Sequence, residues 1–104
     1  MAEIPKIKIT VLRRFSPKEV FAKNPVTPVR PMVACERLKD GQEFFIGQDR
    51  AMPEGFCPSA WQSIYANVRT LQFGGNMPFY KEKGIAISCC TDGLRPVVFE
   101  IKRV

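Results

Sequence analysis

Cys57-Pro58-Ser59-Ala60-Trp61-Gln62-Ser63-Ile64-Tyr65-Ala66-Asn67-Val68-Arg69-Thr70-Leu71-Gln72-Phe73-Gly74-Gly75 is the segment of this chain with the clearest helical periodicity. Trp61, Ile64, Tyr65, Val68 and Leu71 recur at i, i+3, i+4, i+7 and i+10, which is one apolar stripe on a helix. Pro58 suits the first helical position and makes Cys57 the N-cap, while Gly74-Gly75-Asn76 supplies the stop. Burying such a stripe contributes on the order of 10 kcal/mol gross, at about 1.5–3 kcal/mol per large apolar side chain. This is the main helix, and the rest of the chain must offer it a surface.

That surface reads as strands. Downstream, Ile85, Ile87 and Cys89 alternate with Ala86, Ser88 and Cys90, and Thr91-Asp92-Gly93-Leu94 marks a turn. Pro96 to Val104 returns with Val97, Phe99 and Ile101 opposed to Val98, Glu100 and Lys102, completing a hairpin. A regular strand would put Cys89 in the core with Ile85 and Ile87 and turn Cys90 away; a bulge before the turn would bring both sulfurs to one side.

Upstream, Val33–Leu38 and Glu43–Gly47 flank Lys39-Asp40-Gly41-Gln42, an Asp-Gly hairpin signal, with Phe44 and Ile46 toward the core. Pro25, Pro28 and Pro31 make residues 24–32 an extended surface connector. Ser16-Pro17-Lys18-Glu19 forms a capping box for a short helix running to Ala22. The opening of the chain, from Met1 and most strictly over Lys6–Leu12, alternates as a strand that ends at Arg13-Arg14-Phe15.

The resulting order, β-α-β-β-α-β-β, predicts the α+β class. The expectation is a mostly antiparallel sheet of about five strands, one main helix and one short helix packed on it. A length of 104 residues fits a single domain over 1–104.

Sixteen Lys and Arg against ten Asp and Glu leave a net charge of +6. The basic residues are scattered without a run, which reads as a solvated face, and nucleic acid is not an expected partner. No apolar run approaches the ~20 residues that span a bilayer, and no secretory signal follows Met1, so no membrane association and a cytoplasmic location are expected. Thiols stay reduced there, so the four cysteines read as ligands, reactive thiols or core residues before disulfides. There is no histidine, which removes the commonest general base and the commonest transition-metal ligand.

Cys57 stands out because an N-cap is usually Ser, Thr, Asp or Asn. A sulfur there meets the positive end of the helix dipole, which favours negative charge on it. Cys89 and Cys90 precede the last turn, and Cys35 opens the expected first hairpin, where a core thiol is the simpler reading. The separations from 35 to 57, 57 to 89 and 89 to 90 contain no C-x2-C chelate. Asp92 and Arg95 flank the turn beside Cys90 and could orient an anion or a thiol; turn chemistry and a surface ion pair are the plainer alternatives.

Phe56-Cys57-Pro58-Ser59-Ala60-Trp61, Leu71-Gln72-Phe73-Gly74-Gly75 and Cys89-Cys90-Thr91-Asp92-Gly93-Leu94-Arg95-Pro96-Val97 occur together. The combination resembles a family of small, functionally uncharacterised prokaryotic proteins, many from anaerobes. Its motifs are F-C-P-x-A-W and C-C-x-D-G-x-R-P-V, and the likeness covers nearly the whole chain, including Gly41-Gln42-Glu43-Phe44. The resemblance implies that Cys57, Cys89 and Cys90 form one site, with Cys35 fitting the same pattern.

Three functions compete. In the first, Cys57, Cys89, Cys90 and Cys35 bind a thiophilic metal or cluster, zinc or iron–sulfur, as an accessory to redox metabolism. In the second, a pocket between the main helix and the last hairpin binds a small molecule, an anion or a protein partner, with Asp92 and Arg95 as contacts and the thiols structural or redox-sensitive. In the third, Cys57 is the nucleophile of a thiol enzyme, which the lack of histidine disfavours. Short edge strands also leave room for a homo-oligomer.

Overall fold

Ile7, Ile9 and Val11 alternate with Lys8 and Thr10 to build β1 (Ile7–Arg14), an inner strand in this computed structural model, which describes residues 4–104. The first three residues of the expected opening strand lie outside the described residues. After β1 come α1 (Pro17–Val20), β2 (Glu43–Ile46), α2 (Pro58–Gln72), β3 (Ile85–Cys89) and β4 (Val97–Arg103). The protein is α+β, with one sheet in the order β2-β1-β4-β3 and every pairing antiparallel.

The sheet has four strands rather than about five, because Val33–Leu38 forms none. The Asp-Gly turn does form, with Gln42 N–H bonded to the Lys39 carbonyl at 3.1 Å and Gly41 at φ +81°. It delivers β2 to β1 instead of folding it back on Val33–Leu38. Val11 N–H bonds the Gln42 carbonyl and Gly41 N–H bonds the Val11 carbonyl, at 2.9 and 2.7 Å. The Asp40 carboxylate meanwhile accepts from the Arg14 amide and from Arg14 Nε, both at 3.1 Å. The backbone groups that a local hairpin would have used are therefore committed to β1.

One face of the sheet and α2 enclose the core. Ile7, Ile9, Val11, Phe44, Ile46, Val97, Phe99 and Ile101 come from strands, Ala60, Ile64, Val68 and Leu71 from α2, and Phe56 and Leu38 from the connections. The helix is turned slightly from the expected stripe: Ala60 joins the buried ridge, Trp61 is half-buried and Tyr65 lies exposed.

β3 presents the opposite face from the one its isoleucines suggest. Ala86 is buried while Ile87 is 44 % exposed and Cys89 is exposed. The cause is the close seat of α2 on this edge. Asn67 Nδ2 donates to Ser88 Oγ at 2.6 Å and Ser63 Oγ donates to the Cys89 carbonyl at 2.7 Å. Those bonds need small side chains beneath the helix, and Ala86 and Ser88 are the small ones. The outer edge of β3 is further occupied by Tyr80, whose hydroxyl accepts the Ile87 N–H at 3.3 Å.

The other end of α2 is closed by the last strand. Gly74, at φ +86°, turns the chain out of the helix. Arg103 Nη1 donates to the carbonyls of Leu71 and Gly75 at 3.0 and 2.6 Å, and Nη2 donates to Asn76 Oδ1 at 2.6 Å. A guanidinium thus satisfies helix-end carbonyls at the negative pole of the dipole. Among the described residues no helix is long and apolar enough to cross a membrane.

Replacing Arg103 by Met should lower unfolding free energy by about 2 kcal/mol, the loss expected when charge-assisted bonds to half-buried carbonyls go unmade. Urea unfolding should show a lower midpoint with an unchanged slope. Arg103→Lys should recover only a minor part, because one ammonium cannot span the three acceptors.

Candidate functional site

The N-terminal end of α2 is built differently from its C-terminal end. Cys57 is the N-cap, with φ −80° and ψ 122°, and no side chain caps the helix. The first helical bond runs from Trp61 N–H to the Cys57 carbonyl at 2.8 Å, which leaves the Ser59 and Ala60 amides without an intrahelical acceptor. The first turn has no acidic residue to offset the dipole. Phe56 fixes the approach to the helix: it is buried, meets Phe44 edge-on at 5.0 Å between ring centroids and lies 5.3 Å from Phe99.

Cys90 reaches the same place from the sheet. Its amide bonds the Val97 carbonyl at 3.0 Å, but the Val97 amide points to Cys90 Sγ at 3.3 Å rather than to a backbone carbonyl. The ladder between β3 and β4 ends there, and the sulfur is held on the α2 side. Cys89, one residue earlier, belongs to the opposite face. Its thiol is pushed up from its ordinary value, first by partial burial and then by the adjoining Cys90.

The turn that follows is organised by Asp92. Oδ1 accepts from the amides of Leu94 and Arg95 at 2.9 and 3.2 Å, and Oδ2 accepts from Arg95 Nε at 3.1 Å. Burial acts to raise this carboxyl, but the two amides and the Arg95 guanidinium outweigh it and hold it below the usual carboxylate range.

Cys35 is brought in by a bulge in β1. Pairing with β4 slips between Val11 and Arg13, leaving Leu12 exposed and setting Arg14 opposite the buried Val97. Directly opposed residues share a face, so the slip turns Arg14 rather than Arg13 toward the α2 side. There Arg14 Nη1 donates to the Cys35 carbonyl at 2.8 Å, while its Nε holds Asp40.

These parts enclose a cavity of about 290 Å³ lined by Cys35, Cys57 and Cys90, by Arg37, Asp92 and Arg95, and by the start of α2 at Ser59 and Ala60. Its size is near the lower limit of small-ligand pockets, roughly 300 Å³. All four cysteines are free thiols. The structure thus brings together Cys57, Cys90, Cys35, Asp92 and Arg95, and leaves Cys89 outside. Among the described residues no three His, Cys, Asp or Glu side chains stand as a group able to hold a metal ion.

Two contributors escape a reading of the sequence. Arg37 lines the cavity with no ion pair among the described residues, and nothing in its local sequence marks it. Arg14 acts through Cys35, and its signal is the failure of strict alternation at Leu12-Arg13-Arg14. No family model, curated protein or solved structure matches the chain.

The depressed Asp92 carboxyl carries a pH signature. A group whose folded value lies below its unfolded value stabilises the fold above the ordinary carboxylate range and loses that effect as pH falls through the folded value. Asp92→Ala should therefore destabilise by about 1–2 kcal/mol at neutral pH, from the lost turn bonds. The gap from wild type should narrow as pH falls below the ordinary carboxylate range, read by urea unfolding at each pH.

Proposed function

We propose that this protein is a small-molecule binding module whose ligand is a small anion, received between the start of α2 and the turn around Asp92. The observation that carries the reading is one cavity lined by two arginines and by an uncapped helix start. Helix starts of this kind direct unpaired amides and a positive pole at bound anions. Among the described residues Arg37 makes no ion pair, and Asp92, the one acidic residue among them in the lining, is occupied with Arg95 and its own turn. Guanidiniums suit carboxylate, phosphate and sulfate groups because they donate in a fixed planar fork.

The three thiols would then be contacts and redox-sensitive groups of the pocket. The rival reading, a thiophilic metal or cluster held by Cys35, Cys57 and Cys90, draws on the same convergence. It requires the sulfurs to close around an ion, and the side chains as they stand do not form such a group.

Titration with inorganic phosphate at constant ionic strength, followed by amide NMR, tests this. Saturable shifts are expected at Ser59, Ala60 and residues 91–95. Arg37→Ala leaves the Asp92 turn intact and should weaken binding about tenfold, or about 1.4 kcal/mol. Shifts spread evenly over the surface, or an Arg37→Ala variant that binds as wild type, would remove the reading.

A further inference from the structure

We propose that the cavity is a site of thiol–disulfide exchange with anionic low-molecular-weight disulfides, with the Cys57 sulfur as nucleophile. The inference rests on the anion-binding reading and adds the chemistry of the thiol at its centre. Cys57 is the N-cap of α2 and lines the cavity together with Ser59 and Ala60 of the first turn and with Arg37 and Arg95. An anionic disulfide seated on those groups places its sulfur–sulfur bond beside a free thiol.

The step is balanced without a further reagent. The Cys57 thiolate attacks one sulfur of R–S–S–R, a Cys57–S–S–R bond forms, and the original sulfur–sulfur bond breaks. The leaving R–S⁻ departs with the electron pair and takes a proton from water. Cys57 is oxidised, half of the reagent is reduced, and the retained anionic half stays between Arg37 and Arg95. No histidine is needed, because the thiol gives its proton to water before the exchange, which is itself only an attack of sulfur on sulfur.

The geometry also reverses the order that exposure alone would give. Cys89 is the most exposed thiol, yet it lies on the face away from the cavity, its ionisation opposed by partial burial and by Cys90. Selectivity for Cys57 over Cys89 would therefore come from the cavity.

The test treats the reduced chain with oxidised glutathione (anionic), hydroxyethyl disulfide (neutral) and cystamine (cationic), and locates adducts by peptide mass mapping over time. Oxidised glutathione should modify Cys57 first, at least tenfold faster than Cys89. The order anionic, neutral, cationic should hold at Cys57 and be absent at Cys89. Arg37→Ala should reduce the anionic-to-neutral ratio at Cys57 several-fold. Cys57→Ser keeps a favoured N-cap residue, so the fold should persist while the fast adduct disappears. A first adduct on Cys89, Cys35 or Cys90, or a Cys57 rate indifferent to reagent charge, would overturn the proposal. If phosphate binds as described above while Cys57 stays unmodified, the exchange chemistry fails and the anion site stands.

Discussion

The seat of α2 on the edge of the sheet is the constraint from which the rest follows. The helix lies close to β3 because Asn67 and Ser63 bond Ser88 and the Cys89 carbonyl, and only small side chains fit beneath it. Its C-terminal carbonyls are closed by Arg103 of the last strand. Its first amides meet no side-chain cap. A helix secured along its side and at its tail can leave its head open, because the stability of the seat does not depend on the head. The open head is where the cavity forms.

The cavity owes its walls to places where regular structure stops. β1 slips by a residue and turns Arg14 inward, which fastens Cys35. β3 ends where the Val97 amide bonds a sulfur instead of a carbonyl, which holds Cys90. The Asp92 turn then sets Arg95 at the rim. Three irregularities, each satisfied by its own hydrogen bonds, converge on one helix start. Bulges and ladder ends re-aim side chains in just this manner, and they often border functional sites.

Electrostatics and strand geometry divide the thiols. Cys89 and Cys90 are neighbours in the chain, yet the alternation of strand side chains gives them opposite faces and different surroundings. Cys90 joins Cys35 and Cys57 around the cavity, whereas Cys89 faces away from it. The cavity lining itself is basic, since Asp92 is already matched by Arg95 and Arg37 adds a further charge.

Much of the scaffold was legible in the residues. Period two marked β1 and β4, period 3.6 marked α2, and Cys57-Pro58 and Gly74-Gly75 marked its ends, since those signals depend on neighbours a few positions apart. Asp92 was likewise recognisable as a turn residue beside Cys90. Tertiary structure decided the remainder. It passed over Val33–Leu38 as a strand because β1 claimed the backbone bonds around Gly41. It turned Ala86 inward and Ile87 outward because the approach of a helix favours small residues over apolar ones. It also chose which sulfurs meet, because that depends on a bulge, a ladder end and a crossing helix whose effects join only through space.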